Sequence, residues 1–146
     1  MKKLLILIIP ILILTGCSKE KLTCTKKEKS NGYKSTEEYS LQYKKDKLTY
    51  YTYKTTYEFN EFYTEEEIKK EQEKVEEVCN YFKQESNNKV KCKIELKNKV
   101  LSIKMSLDIS SISEDIFDNM MFLPLSEFNK EKEMKKMFKN TGYTCK

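Results

Sequence analysis

Residues 48–59 read LTYYTYKTTYEF, and residues 64–82 read TEEEIKKEQEKVEEVCNYF. In the first stretch Thr49, Tyr51, Tyr53, Thr55, Tyr57 and Phe59 alternate with Thr52, Lys54, Thr56 and Glu58. A period of two predicts a long, half-buried strand with its odd face inward. The second stretch opens on a capping box. The Thr64 hydroxyl is placed to accept the Glu67 amide, and the Glu67 carboxylate to reach back. Ile68, Val75, Val78, Cys79 and Phe82 then share one face, with Glu and Lys around the rest. This predicts an amphipathic helix ending near Ser86-Asn87-Asn88. A sheet face and a helix stripe that follow each other so closely bury best against one another.

Working outward, Tyr39, Leu41 and Tyr43 alternate with polar residues, and Lys45-Asp46 supplies a turn into the long strand. Residues 22–35 read as a short edge strand and a loop through Ser30-Asn31-Gly32. After the helix, Val90, Cys92, Ile94 and Leu96 alternate, as do Leu101, Ile103, Met105, Leu107 and Ile109. With Lys97-Asn98-Lys99 between them they form a hairpin with one apolar face. Ile112, Ile116, Phe117, Met120 and Met121 suggest a short helix stopped before Pro124. Ser126 is expected to cap a second amphipathic helix carrying Phe128, Met134, Met137 and Phe138, closed by Gly142, with a last strand at Tyr143–Cys145. The order predicts an α+β fold: an antiparallel sheet with two main amphipathic helices packed on one face.

The chain begins differently. Met1-Lys2-Lys3 is positive, and residues 4–14 are apolar apart from Pro10. That run suits a signal peptide and falls short of the ~20 residues a bilayer span needs. Leu14-Thr15-Gly16-Cys17 resembles a lipobox, with small residues ahead of a cysteine thiol that accepts a diacylglyceryl group. We therefore expect a lipoprotein signal peptide at 1–16, a lipidated tether at 17–21 and a single domain at 22–146. The membrane, reached through diacylglyceryl-Cys17 on its outer, extracytoplasmic face, is the first expected partner. Two acyl chains anchor a protein stably where one does not.

Outside the membrane cysteines tend to oxidise. Cys24, Cys79, Cys92 and Cys145 remain, with three possible pairings. Cys79 and Cys92 lie on the inward faces of neighbouring elements, and Cys24–Cys145 would then staple the domain's ends. Loop entropy assigns these about 3 and about 4–5 kcal/mol. Close pairs of the C-x-x-C type are absent, which argues against a zinc or thiol-redox site; no metal or cofactor is expected.

The 146 residues carry a net charge of +5 with no histidine and no tryptophan. All basic residues are lysine. Nucleic-acid readers lean on the bidentate guanidinium, so a nucleic-acid partner is not expected. Without histidine, Ser-His-Asp and Cys-His arrangements are impossible. The S-x-x-K matches at Ser18 and Ser86 lack companion motifs. Glu65–Glu67, Glu71, Glu73, Glu76 and Glu77 suit a helix start and a solvated helix face. Tyr51, Tyr53 and Tyr57 are expected to line the sheet's inner face, with Tyr50 outward. Met120, Met121, Met134 and Met137 are expected to fill core.

Some of these segments have a family look. Thr55-Thr56-Tyr57-Glu58-Phe59, the helix opening Thr64-Glu65-Glu66 and Tyr81-Phe82-Lys83 resemble the YehR-like small bacterial lipoproteins. So do residues 100–105 and Met134, Met137, Gly142 and Tyr143. The resemblance spans about Tyr39 to Tyr143. It implies a lipid anchor, an α+β domain and no established activity, and it supplies no functional residues. The four paired cysteines are not part of that pattern. The expected function is a non-enzymatic binding or envelope-accessory domain, without a deep cleft, for an envelope protein or a cell-wall or small-molecule ligand. The alternative is a carboxylate-based envelope hydrolase, which would need convergent acids such as Asp108 and Asp115.

Overall fold

A computed structural model describes residues 20–121 and 123–146. The expected signal peptide and lipobox, with Leu14, Thr15, Gly16 and Cys17, lie outside the described residues.

Six strands form one antiparallel sheet: β1 (Glu20–Lys29), β2 (Tyr33–Lys44), β3 (Lys47–Phe59), β4 (Lys91–Lys97), β5 (Val100–Asp108) and β6 (Thr144–Cys145). Their spatial order is β4-β5-β3-β2-β1-β6. The helices are α1 (Glu65–Glu85), α2 (Glu114–Met120), α3 (Leu125–Phe128) and α4 (Glu131–Asn140). The fold is α+β, as the alternation predicts.

The odd face of β3 turns inward, with Tyr51 and Thr55 buried. Yet Leu48, of the opposite parity, is also buried. A bulge explains this. Tyr43 pairs with Leu48 while Gln42 pairs with Tyr50, so Thr49 is an extra residue that resets the alternation. The Thr49 hydroxyl donates to the Gln42 carbonyl at 3.0 Å, occupying the bulge. Both short hairpins turn through paired left-handed residues, Lys45-Asp46 and Asn98-Lys99.

The capping box forms. The Glu67 amide donates to Thr64 Oγ1 at 3.2 Å, and the Thr64 amide to Glu67 Oε2 at 2.8 Å. Those bonds hold the Glu67 carboxyl below its usual pKa. Ile68 and Cys79 face the sheet, but Val78 is 50% exposed, lying on the flank of the apolar stripe.

Three sequence expectations are corrected. The strand at 22–35 is neither short nor at the edge: β1 is ten residues long and lies between β2 and β6. It opens at Glu20, inside the segment read as tether. The second helix is broken, and Ser126 does not cap it. Pro124 precedes α3 without a side-chain cap, and Lys130 precedes α4. The break falls at Asn129, whose Oδ1 accepts the Leu48 amide at 2.8 Å and pins this corner to β3. Gly142 does close α4. Its φ is +91°, Tyr143 N donates to the Phe138 carbonyl, and Gly142 N donates to the Lys139 carbonyl.

All four helices lie on one face. α1 packs on β4 and β5, while α4 packs on β1 and β6. α2 and α3 bridge them, and Phe117 and Phe128 are fully buried there. The opposite face of the sheet carries no helix among the described residues.

Candidate functional site

The two helical groups leave a gap over the middle of the sheet. Its floor is laid by register: Tyr39 on β2 pairs with Tyr53 on β3, which pairs with Met105 on β5. Tyr51 pairs with Leu107. Phe82 of α1, Val90, and Met120 and Met121 at the end of α2 form the walls. The cavity measures 330 Å³, at the small end of the range for small-molecule sites. The sequence predicts no deep cleft, and this cavity at the centre of the sheet departs from that expectation. The gap lies between α1, tied to β4 by Cys79–Cys92, and α4, which packs on β1 and β6 at the other side of the sheet.

The floor rings pack against one another. Tyr39 lies 4.9 Å from Tyr53, 6.2 Å from Tyr51 and 5.6 Å from Tyr143, centroid to centroid. Tyr143 donates its hydroxyl to Glu37 at 2.5 Å, and Lys26 sits 5.6 Å over its ring. Burial raises the pKa of Tyr39, Tyr51 and Tyr53 above the ordinary 10.0, the Glu37 charge adding to it at Tyr39 and Tyr53. Tyr143 is raised by burial and by its bond to Glu37. These phenols are neutral at physiological pH and can donate hydrogen bonds.

This has a consequence for alkaline stability. Below pH 10 folded and unfolded chains both keep the phenolic protons, so the stabilisation is complete. Above it the unfolded chain ionises first, and stability is lost as pH rises toward the folded values. The urea midpoint is expected to fall from about pH 9 to about pH 11. Tyrosinate absorbance should rise in a cooperative step as the protein unfolds. Independent titration of every tyrosine near pH 10 would contradict the packing.

Among the described residues the cavity is lined by no carboxylate or lysine. Asp108 Oδ1 accepts from the Ser110 amide and hydroxyl, and Asp115 sits in the first turn of α2. The structure does not bring the two into this cavity. No group of three or more acidic, histidine or cysteine side chains suited to a metal occurs among the described residues.

The cysteines pair as Cys24–Cys145 and Cys79–Cys92, with Cα atoms 4.0 and 6.0 Å apart. Tyr51 is buried and Tyr53 and Tyr57 partly so, on the inner face. Met120 and Met134 are buried in the core and Met121 and Met137 pack against it, as expected, while Met120 and Met121 also line the cavity. The contributions of Phe82, Val90 and Met105, and the Tyr143–Glu37 contact, were not anticipated. They depend on register and on the helix angle, which periodicity does not encode.

No family model matches the chain, and no curated protein matches it. Two solved structures do. The NMR structure of a protein from Streptococcus pneumoniae TIGR4 superposes with a TM-score of 0.59 at 12% identity, covering 100% of this chain and 96% of that one. The NMR structure of the E. coli YehR protein gives 0.55 at 15% identity, covering 89% and 92%. The chain thus has a YehR-like fold.

Proposed function

We propose that this chain is a lipid-anchored extracytoplasmic binding protein of the YehR-like kind. On this reading Cys17 carries the diacylglyceryl group, and the domain holds a small, largely apolar ligand over Tyr39, Tyr51 and Tyr53. The observation that carries the binding role is the cavity itself: apolar walls, adaptable methionines, and neutral phenols offering a few directional hydrogen bonds. An acid–base pair is not among its lining residues, so nothing favours the hydrolase reading. The lipobox supports the anchor, and two disulfides support an oxidising compartment.

Two measurements test this. The intact mass of detergent-extracted protein should start at Cys17, carry added lipid and show no alkylatable thiol. A chain that starts at Met1 would sink the anchor, and one that carries free thiols would sink the oxidising compartment. An apolar, environment-sensitive fluorophore should bind the protein and be displaced by the true ligand. Met121→Trp, which fills the cavity from its rim, should weaken the fluorophore at least ten-fold (about 1.4 kcal/mol). Unchanged affinity in a folded Met121→Trp protein would place binding elsewhere.

A further inference from the structure

The uncovered face of the sheet has its own pattern. Register sets Lys93 opposite Lys104, and Lys104 opposite Lys54, so three lysines stand side by side on adjacent strands β4, β5 and β3. All three are exposed. Neighbouring strands lie about 5 Å apart, and like charges directly opposite destabilise a sheet. Lys93 is offset by Glu95 at 2.7 Å. No salt bridge holds Lys54 or Lys104 among the described residues, although Glu38 on β2 continues the row directly opposite Lys54. The row on one side is Lys91, Ser106, Thr52, Ser40 and Thr23; on the other, Glu95, Ser102, Thr56, Thr36 and Lys27. Lysines outnumber carboxylates over the whole face. The helical side holds the excess of carboxylates: α1 carries eight glutamates against four lysines and α2 three acids and no lysine, outweighing the four lysines and two glutamates of α4. Small hydroxyl side chains keep the basic face flat, and they can donate to phosphate oxygens.

What covers this face follows from where the chain is tied. β1 starts at Glu20, so Ser18 and Lys19 alone separate it from Cys17. Three residues reach at most about 10 Å. The tether thus keeps the start of β1 at the surface, and the lysine row, level with Thr25 on β1, comes within the Debye length of about 8 Å when the flat face lies down on it. We infer that the domain lies on its own membrane, the Lys93–Lys104–Lys54 row and its hydroxyl flanks resting on the phosphates of anionic phospholipids, with α1 turned away. This rests on the anchor proposed above. The cavity stays open on the far face in this orientation.

Lipidated protein is reconstituted into vesicles of pure phosphatidylcholine and into vesicles containing phosphatidylglycerol, then pulsed with an amine-acylating reagent. Site-resolved mass spectrometry reads each lysine. Lys54 and Lys104 should label about five-fold more slowly on the anionic vesicles, while Lys70 and Lys74 of α1 label equally on both. About 1 M salt, where the Debye length is near 3 Å, should erase the difference. Lys54→Glu with Lys104→Glu should deprotect Lys27 and Lys91 on the same face. Equal labelling on both vesicle types overturns the inference while leaving the anchor intact. Protection by soluble polyphosphate but not by vesicles also overturns it and assigns the face to a free polyanion. Absence of lipid from the intact mass overturns both readings, and it is seen before labelling begins.

Discussion

Removing the Cys24–Cys145 disulfide is expected to cost the domain about 4–5 kcal/mol, much of the stability of an ordinary domain of this size. The bridge spans 121 residues, nearly the whole described chain, so it removes more freedom from the unfolded ensemble than a short loop does. The native side of the ledger points the same way. β6 has two residues, and only Thr144 and Cys145 pair with β1, extended by reciprocal bonds between Thr23 and Lys146. A strand that short does not hold its place through backbone bonds alone. Cys24 is fully buried, so alanine is the better replacement, since a serine hydroxyl would be left without a partner. The Cys24→Ala, Cys145→Ala protein should show a urea midpoint lower by about 2 M. Cys79→Ala with Cys92→Ala, closing a separation of 13, should lose about 3 kcal/mol. The ranking is the test: a larger loss at Cys79–Cys92 would show that loop entropy is not what the long bridge supplies. Loss of the long bridge should also free Tyr143 from Glu37 and expose Tyr39, changing the floor of the cavity.

The parts of this fold legible in the sequence are those where one physical signal dominates. Tyr51, Tyr53 and Tyr57 alternate because β3 has one dry and one wet face. Thr64 and Glu67 announce a helix start because both side chains satisfy amides there. Gly142 marks a helix end because φ near +91° is open to glycine. The parts that were not legible lack such a signal. β1 and β2 continue through Lys26–Lys29 and Lys34–Glu38, beyond the helices, where both faces are polar and alternation vanishes. Asn129 breaks the second helix through a bond to Leu48, 81 residues away. Val78 fits the helical stripe only by composition. The cavity was least legible of all, because it is a space left between helices rather than a property of any residue. The proposed anchor is the reverse case: the signal for it is entirely local, at Leu14-Thr15-Gly16-Cys17, and owes nothing to the fold.

Phe117→Ala is expected to lose about 3–5 kcal/mol and to weaken the fluorophore's binding to the proposed site at the same time. α2 has seven residues and α3 has four, too few to be helical on their own. Their order comes from what they bury. Phe117 is fully buried and meets Phe128 edge-on, with ring centroids 5.2 Å apart at 85°. Phe128 in turn stands edge-on to Tyr51, 6.1 Å away at 83°. This chain of rings connects the helical bridge to the cavity floor. Deleting the Phe117 ring leaves a void that two short helices cannot close without shifting, and Met120 lies one turn beyond it in the cavity wall. Phe117→Leu keeps most of the volume and should retain at least half of the stability, so it separates loss of packing from loss of the fold. Urea unfolding gives the first readout and the fluorophore affinity the second. In Phe117→Leu both should move together, because the same ring sets the helix position and the wall. A stability loss below about 1 kcal/mol in Phe117→Ala would mean that the bridge is not packed on the sheet. A large loss with affinity unchanged in Phe117→Leu would separate the wall from the core and confine the proposed site to Tyr39, Tyr53 and the sheet.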